Sequence, residues 1–435
     1  MAALRILFSL SNLTPLRLMP TREFRKLTRV EDATRLFFDA VGTIRDVESV
    51  KIRDALGRVL ARRVVATRYL PAYDIAVVDG YAVRSVDLHR VSSRKPKILR
   101  LVGESKLGQL PRAQVREGET VTVATGSVVP KGSDAVVMAE CAKALSGNRV
   151  EFREPINPRQ GMTGKGEDVR PGRLVLESGR RLRPEDIGVL KALGVGTIPV
   201  VRRLRVAVLS TGNELVDTVR RSDSGKIVDL NRPILTAMLR ELGANPVDLG
   251  IVEDDEKEIM AALRAGLAKT DLVLVSAGSS VGKRDLVPGC INRLGEPGMI
   301  VHGVAMRPAM PTGVAVVKGK PVVSLPGFPV SAMLAFRVFV RPLLAKLVGA
   351  PSLFDPSVKA ILKKRVSGTP GSRTFVRVRV ERVGNGYVAV PLAAQRSSIL
   401  TSMVDANGII TLPESVASIG AGCEVSVTLT GSLAT

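Results

Sequence analysis

The sequence predicts a multidomain protein of mixed α/β and all-β class, and three observations predict it. The chain has 435 residues, too many for one ordinary domain. Between residues 202 and 347, apolar runs of strand length alternate with helical patterns, as in a parallel sheet covered by helices. Before and after that segment, short apolar runs separated by Gly and Pro predict strand-rich modules, the last a small β-barrel-like domain.

Helical apolar spacing sets the remaining boundaries. Leu36, Phe37 and Ala40 share one predicted helix face, and Pro184 and Gly194 fit the start and end of another helix. We therefore predict an N-terminal tail (1–21), a helical linker domain (22–65 and 166–201), a β-rich inserted domain (66–165), an α/β domain (202–347) and a C-terminal all-β domain (348–435).

Composition narrows the possible partners. Hydrophobic residues make up 45% and aromatic residues 3%, so the core must be mostly aliphatic. The formal charge of +23 favours anionic partners, although a highly charged surface alone explains it equally well. Because no basic cluster is interleaved with aromatic residues, nucleic acid is a disfavoured partner.

Few residues suit soft metals or a membrane. Cys141, Cys290 and Cys423 lack paired spacing and only two His occur, which disfavours a zinc or iron–sulfur site and fits a reducing cytoplasm. The N-terminal apolar run is too short for a membrane span and lacks the flanks of a signal peptide. Met19 precedes the first predicted helix, so translation could also begin there.

Two loops after the most apolar strands are candidate ligand sites, because ligands bind beyond the carboxyl ends of strands in open α/β sheets. Residues 210–214 (STGNE) offer two hydroxyls, a glycine and an acid. Residues 278–285 (GSSVGKRD) offer glycines that let backbone N–H groups approach a phosphate, and Asp285 could hold Mg²⁺. Neither loop matches an NTPase or dinucleotide-binding pattern, so both also fit plain tight turns.

A third loop, Leu325 to Ser331 (LPGFPVS), opens a long apolar helix. Its two prolines fix the turn, and a helix N-terminus offers backbone donors and a positive dipole to an anion. A proline at a helix start is also common without any ligand. Three such loops on one sheet edge favour a binding site.

Acids outside these loops have structural as well as functional interpretations. Asp79 lies in YDIAVVDGYAV, among apolar neighbours typical of a buried strand, where a carboxylate needs a partner or a ligand. Asp74 fits a turn, and Asp168 in GKGED fits an Asx-turn. Asp254 fits the first turn of a helix, where it offsets the dipole, and Thr125 fits the end of a hairpin.

Six motifs occur in one order along the chain. They are DxxxxDGYAV (74–83), TGxxxPxGxDAVV (125–137), GED (166–168), STGxEL (210–215), SxGxSVGxxD (276–285) and LPGxPVSA (325–332). In these motifs the chain resembles the molybdopterin molybdenumtransferase family, of the MoeA and gephyrin E-domain type, from about residue 22 onward. The resemblance implies a cytoplasmic homodimer in which the α/β domain of one subunit faces the inserted domain of the other across a shared active site.

The resemblance also implies a chemistry. Proteins of this family bind adenylylated molybdopterin, release AMP and transfer molybdenum from molybdate, with Mg²⁺ assisting, and the adenylyltransferase that makes the substrate is an implied partner. It implies catalytic roles for Asp79, Thr125, Asp168, Glu214, Asp254, Asp285 and Arg307, with Glu214 and Asp285 as Mg²⁺ ligands. It implies substrate-binding roles for Ser210, Thr211, Gly212, Gly278, Ser279, Ser280, Gly282, Pro326, Gly327, Pro329, Ser331, Arg373 and Ser397.

The chain departs from the family pattern at several positions. Ile75 to Val78 replace a more polar Asn-Ser-Ala-Met run, Asn213 replaces an acid, and Ala277 replaces a glycine. Residues 306–311 (MRPAMP) replace a lysine-containing run, which leaves Arg307 as the one clear cation of that segment. The departures leave open tungstate in place of molybdate, substrate capture by other arginines, or a pterin-binding paralogue that acts as a carrier with weak or no insertase activity.

A second enzyme class also remains open. Molybdopterin adenylylation is carried out by a sister family that shares the α/β domain, but the four-domain organisation predicted here argues against it. The sequence alone therefore favours the metal-inserting transferase.

Overall fold

The computed structural model describes residues 27–44, 46–219, 225–277, 286–351 and 355–433. The chain divides into two compact units, of which one is Asp46–Val201 and the other combines the residues before 46 with those from Arg202 onward. The first helix, α1 (Val30–Asp39), belongs to the second unit, because Phe37 is fully buried in the core that also covers the α/β sheet. The sequence analysis grouped this helix with the linker segments instead.

The unit Asp46–Val201 consists mostly of short strands. In chain order its elements are β1 (Val47–Lys51), a 3₁₀ turn (Ile52–Asp54), β2 (Val59–Leu60), β3 (Val64–Val65), β4 (Ile75–Ala76), β5 (Gly80–Val83), α2 (Ser85–Leu88), β6 (Lys97–Ser105), β7 (Glu119–Val123), β8 (Ala135–Met138), a second 3₁₀ turn (Ala139–Cys141), β9 (Ala142–Leu145), β10 (Arg149–Phe152), β11 (Met162–Thr163), β12 (Leu174–Leu176), α3 (Pro184–Ala192) and β13 (Thr197–Val201).

The prediction of helix across 22–65 and 166–201 is confirmed for α1 and α3 and is wrong for the other residues of these ranges that the structure describes. Strands β1, β13 and β2 form a three-stranded antiparallel sheet there. The spacing of Ala55, Val59 and Leu60 predicted a helix that does not form, because Gly57 adopts a φ of 72° and interrupts the segment. The valines of these strands favour a sheet whose partner strand lies at the other end of the unit, which local spacing cannot show.

The predicted β-rich segment forms a six-stranded sheet in the order β8-β5-β7-β6-β10-β9. Its core residues include Val83, Leu99, Val137 and Phe152, and the three-stranded sheet has a separate core around Leu60. Separate cores for these two sheets within one compact unit suit an inserted module. The boundaries at 66 and 165 remain a prediction.

The second unit contains, after α1, an α/β sheet followed by a barrel. Its elements are β14 (Arg205–Thr211), β15 (Leu215–Val216), β16 (Ile227–Val228), α4 (Asn231–Glu241), β17 (Asn245–Val252), α5 (Glu256–Lys269), β18 (Leu272–Ala277), α6 (Val287–Leu294), β19 (Pro297–His302), β20 (Met306–Arg307), β21 (Gly313–Val317), β22 (Lys320–Pro326), α7 (Pro329–Ala335), a π-helical segment (Phe336–Val340), α8 (Arg341–Leu347), β23 (Ser357–Leu362), β24 (Val366–Ser367), β25 (Arg373–Val383), β26 (Gly386–Pro391), α9 (Thr401–Asp405), β27 (Gly408–Leu412), β28 (Ser418–Ile419) and β29 (Glu424–Leu429).

The six-stranded sheet β17-β14-β18-β22-β21-β19 confirms the α/β prediction. Its first four strands are parallel, and β21 and β19 complete it in antiparallel fashion. Alternate residues of β14 face opposite sides: Val206 and Val208 pack in the core with α1, α4, α7 and α8, whereas Ala207 and Leu209 pack with α5 and α6. Both faces are covered, which explains the continuous apolar runs in the sequence.

The C-terminal strands confirm the all-β prediction. Strands β25, β26, β23, β29 and β27 close on themselves as a five-stranded barrel, and β20 extends the sheet by pairing with β25. Valines of β25 that point inward fill the barrel, whereas Phe375 on the opposite face joins the core of the α/β sheet. Among the described residues, none of the helices has the length and apolar composition needed to cross a bilayer.

Candidate functional site

The ends of three parallel strands align at one edge of the α/β sheet. Thr211 at the end of β14 is in register with Ala277 of β18, which is in register with Pro326 of β22. The structure therefore brings the predicted 210–214 and 325–331 loops to the same edge, as expected for an open α/β sheet. The third predicted loop begins after Ala277, and its candidates Gly278, Ser279, Ser280, Gly282 and Asp285 lie outside the described residues.

A buried carboxamide at this edge was missed by the sequence analysis. Asn231, the first residue of α4, donates through Nδ2 to Ser276 Oγ at 2.7 Å, to Gly327 O at 2.8 Å and to Pro326 O at 3.3 Å. Its Oδ1 atom and the buried Ser210 Oγ have no hydrogen-bond partner within the described parts of the chain. The Asn-Arg-Pro start of a predicted helix gave no sign of these contacts.

Two predicted acids lie on adjoining loops at this edge. The backbone N–H of Asp254 donates to Asn213 Oδ1 at 3.0 Å, which fastens the loop before α5 to the Asn213–Glu214 turn. A Cβ on Gly212 would lie 2.8 Å from Glu214 Oε1, so this glycine lets the glutamate fold back over the backbone. Asp255, the residue after Asp254, caps α5 by accepting from Lys257 N and Glu258 N.

Carboxylate oxygens of this kind are suitable ligands for Mg²⁺. In the part of the chain that the structure describes, however, no three His, Cys, Asp or Glu side chains cluster as a metal site. Described residues alone therefore do not build the predicted site, and a Mg²⁺ site of Glu214 and Asp285 remains a prediction.

Three arginines on the paired strands β20 and β25 differ in how their charges are balanced. Arg307 is exposed at the end of β20, and no described carboxylate forms an ion pair with it. Arg373 is held by Glu31 of α1 and by Glu414, whose Oε1 lies 3.3 Å from its Nη2. The Arg373 guanidinium lowers the pKa of Glu31 by donating a hydrogen bond to that carboxylate. Arg373 is thus already neutralised by carboxylates, so a role for it at an oxyanion stays a prediction.

The third arginine, Arg377, is fully buried and was missed by the sequence analysis. Its Nη2 donates to Ala394 O and Arg396 O, both at 3.4 Å, whereas Nε and Nη1 have no partner among the described residues. Burial lowers the pKa of this guanidinium. A cation so deep in the protein without a carboxylate is costly unless an anion joins it. The sequence did contain one signal for this residue, because an arginine within the apolar strand TFVRVRV is unusual.

The segment after β26 joins Arg377 to the predicted loop. Gln395 accepts from Arg377 N at 3.1 Å and donates to Arg377 O at 2.8 Å, so it clamps residues 394–397 against β25. Ser397 O then accepts from Val330 N at 3.4 Å in the first turn of α7. The predicted residues Ser397, Pro329 and Ser331 are therefore brought close together, with Arg377 beneath them.

A second predicted pair meets in the other compact unit. Asp79 Oδ1 accepts from the backbone N–H of Thr125 at 2.7 Å and from its hydroxyl at 3.0 Å. Both residues are exposed, which corrects the expectation of a buried strand: β4 ends at Ala76, the chain bends through 77–79, and β5 starts at Gly80. The Thr125 backbone N–H, helped by the hydroxyl, lowers the pKa of Asp79 and keeps it ionised.

The GKGED loop lies beside the segment that leads to this pair. Strand β4 pairs with β11 through Ala76 and Met162, and Ile75 forms a bridge with Val128. Asp74 accepts from Lys165 N at 2.7 Å, so it fastens the loop rather than its own turn. Asp168 is exposed, and its backbone N–H donates to Leu70 O. Three motifs far apart in sequence thus meet around β4.

Comparisons with known proteins agree with this arrangement. Family models match residues 28–194 (MoeA N-terminal region, domain I and II), 207–346 (probable molybdopterin binding domain) and 359–430 (MoeA C-terminal region, domain IV). Molybdopterin molybdenumtransferase 2 of Mycobacterium tuberculosis is 32% identical over 402 residues, which cover 92% of this chain and 98% of that protein. The chain belongs to the MoeA family.

Further relatives in the MoeA family extend over almost the whole chain. A putative molybdopterin biosynthesis protein of Methanocaldococcus jannaschii is 30% identical and covers 94% of this chain and 96% of its own length. The crystal structure of the molybdopterin biosynthesis MoeA protein from Pyrococcus horikoshii is 32% identical, with a TM-score of 0.82 over 93% of this chain and all of that one. The predicted family and multidomain fold are confirmed.

Proposed function

We propose that this MoeA-family chain is a molybdopterin molybdenumtransferase that takes molybdenum from molybdate and inserts it into adenylylated molybdopterin, releasing AMP. Membership of the family supports an enzyme of molybdenum cofactor biosynthesis. The observation that carries the proposal for this chain is Arg377, a fully buried guanidinium with no carboxylate partner among the described residues, beneath the contact of Ser397 with Val330.

Molybdate is a tetrahedral dianion, so its capture needs cations and hydrogen-bond donors rather than His or Cys ligands. A guanidinium offers several N–H donors in a fixed plane, and charge-assisted bonds of this kind are the strong ones. Arg377 Nε and Nη1 have no acceptor among the residues that the structure describes, Ser331 adds a buried hydroxyl, and Arg307 adds an exposed cation. The lysines that the 306–311 segment lacks are therefore replaced in this proposal by arginines.

Cleavage of the adenylyl bond needs charge stabilisation and positioning more than a covalent nucleophile. Glu214 lies at the carboxyl edge of the sheet, on a loop fastened to the one that carries Asp254. Glu214 and Asp285 would hold Mg²⁺, which neutralises developing charge on phosphate oxygens when it is bound, and Asp254 would support them. Residues at the sheet edge, where Thr211, Ala277 and Pro326 align, would then position the substrate.

We also propose that the Asp79 pair serves the active site of a second subunit. Asp79, Thr125 and Asp168 are exposed, and apolar side chains are exposed around the pair: Val77 at 46%, Leu107 at 65% and Met138 at 40%. Leu107 lies over the neighbouring Gly126, since a Cβ on that glycine would come 3.3 Å from its Cδ1. Exposed apolar side chains around an ionised acid are expected for a surface that a second subunit buries in a homodimer.

The decisive experiment is an insertion assay with purified protein, adenylylated molybdopterin, Mg²⁺ and either molybdate or tungstate. We expect AMP release that depends on the oxyanion, and the oxyanion that saturates at lower concentration identifies the physiological metal. No AMP release with either oxyanion would favour the alternative of a pterin-binding carrier, whereas AMP release that needs neither oxyanion would show hydrolysis without insertion and contradict the proposal. A cytoplasmic location and an adenylyltransferase partner complete the proposal, and the exposed thiols Cys141 and Cys423 suit a reducing compartment.

A further inference from the structure

Asn231 connects the ends of two neighbouring strands through its side chain. Its carboxamide is buried, with 4% of the residue exposed, and donates to Ser276 Oγ at the end of β18 and to the carbonyls of Pro326 and Gly327 after β22. These acceptors fix the orientation of the amide, because a flipped amide would direct its oxygen at two carbonyl oxygens. A hydrogen-bond donor is therefore required at this place.

The first turn of α4 holds Asn231 independently of the two strands. Asp229 accepts from Asn231 N at 3.1 Å and from Arg232 N at 3.2 Å. The Arg232 guanidinium is bound in turn by Asp229 at 3.1 Å and by Asp248 of β17 at 3.0 Å. Asn231 thus extends from a fixed helix end to the Pro326–Gly327 turn.

The turn to which Asn231 donates, Pro326–Gly327, is part of the predicted oxyanion loop (325–331) and leads into α7. Gly327 is followed by Phe328 and Pro329, and Val330 N donates to Ser397 O, the segment under which Arg377 is buried. On the other side of the amide, Asn231 Oδ1 and Ser210 Oγ both lack a partner in the parts of the chain that the structure describes, and Ser210 is in register with Ser276. Unpartnered buried polar atoms at a strand end are rare unless a ligand or water binds beside them.

We propose that Asn231 is a positioning residue for oxyanion capture. By holding Pro326 and Gly327 against the end of β18, it sets the place of the Val330–Ser397 contact relative to the sheet edge. This inference rests on the proposed function. Because a displacement of about 1 Å at a reacting group can lower the rate on the order of 100-fold, loosening this turn should weaken capture of the oxyanion.

The test compares Asn231→Ala and Asn231→Asp with a matched control, Asn407→Asp. Asn407 is used in a similar way in the barrel, where it donates to Val380 O at 2.9 Å and to Ser432 O at 3.2 Å. We expect both Asn231 variants to raise the half-saturating molybdate concentration about tenfold or more, with the Michaelis constant for adenylylated molybdopterin changed less than about twofold. The aspartate variant should be worse, because its carboxylate faces three acceptors.

Thermal unfolding and far-ultraviolet circular dichroism separate positioning from general stability. Asn407→Asp should lower the melting temperature without shifting the molybdate dependence. Equal shifts in all three variants, or unchanged molybdate dependence in both Asn231 variants, would overturn the inference while leaving the proposed function intact. Failure of both Asn231 variants to fold would mark a purely structural role and overturn it too. A wild-type protein without oxyanion-dependent AMP release would overturn the proposed function and the inference with it.

Discussion

The two candidate regions, the sheet edge around Asn231 together with Arg377 of the barrel and the exposed pair of Asp79 and Thr125, satisfy their polar groups in opposite ways. Ser210 Oγ at the sheet edge and Arg377 Nη1 in the barrel are buried and lack partners among the described residues. In the other unit, Asp79 already has two donors from Thr125 and lies at the surface. Within the described residues, the buried region thus contains polar atoms without partners, whereas the exposed pair has a carboxylate that already accepts two hydrogen bonds.

The largest expected effect tests the buried region. Arg377→Met removes the charge but keeps much of the side-chain volume, so we expect a melting temperature equal to or above that of the wild type. Oxyanion-dependent AMP release should fall by about 10²–10³-fold, because an anion would lose its charged donor in a buried site. The assay is initial AMP release at fixed molybdate, with the melting temperature measured on the same samples.

Arg379→Met is the matched control, because Arg379 is exposed two residues further along the same strand. It should change neither AMP release nor stability measurably. Near-normal release by Arg377→Met would remove the main support for the proposed oxyanion site and would return attention to Arg307.

The sequence predicted the strands of the sheet edge because their signal is local. The apolar runs LRVAVLS and LVLVSA are continuous, and they account for β14 and β18. Asn231 and Arg377 could not be assigned from sequence, because what distinguishes each is the set of distant atoms around it. The six ordered motifs pointed to the family, but no motif indicates that Arg373 is neutralised by Glu31.

The helical linker prediction failed for a related reason. The strand β1 pairs with β13 at the far end of its unit, so its sheet partner is invisible to a local window. Asp79 was assigned to a buried strand because Ile75 to Val78 are apolar, yet the chain bends after Ala76 and exposes Val77. The sequence indicated Asp79 and Thr125 as two separate candidates but did not predict that they contact each other.

The next effect tests whether the exposed pair serves another subunit. Asp79→Ala should leave the fold intact, since the side chain is exposed, and should lower AMP release about 100-fold. Glu154→Ala, an exposed acid of the same unit, is the control and should retain full release. Normal release by Asp79→Ala would contradict the assignment of this pair to the active site.

Mixing two inactive variants then decides where the pair acts. If a shared site combines Asp79 of one subunit with Arg377 of another, randomly reassembled dimers of Asp79→Ala and Arg377→Met should regain about a quarter of wild-type release, because half of the dimers contain one complete site. Size-exclusion chromatography with light scattering confirms the dimers. No recovery in verified mixed dimers would place both residues in the site of a single chain.

The smallest effect concerns the acid sensitivity of the exposed pair. Thr125 lowers the pKa of Asp79 below its ordinary value of 3.8, chiefly through its backbone N–H. Stability from this interaction is therefore present above the unfolded-state pKa and is lost as the pH falls through the folded-state pKa. Asp79→Asn should be less stable than the wild type at pH 5, and that difference should shrink below about pH 3.8. Thr125→Val keeps the backbone N–H, so it should keep most of the wild-type pH dependence. Urea midpoints of the three proteins between pH 5 and about pH 2.5 measure the effect, and parallel curves for wild type and Asp79→Asn would show that the Thr125 contact contributes nothing in solution.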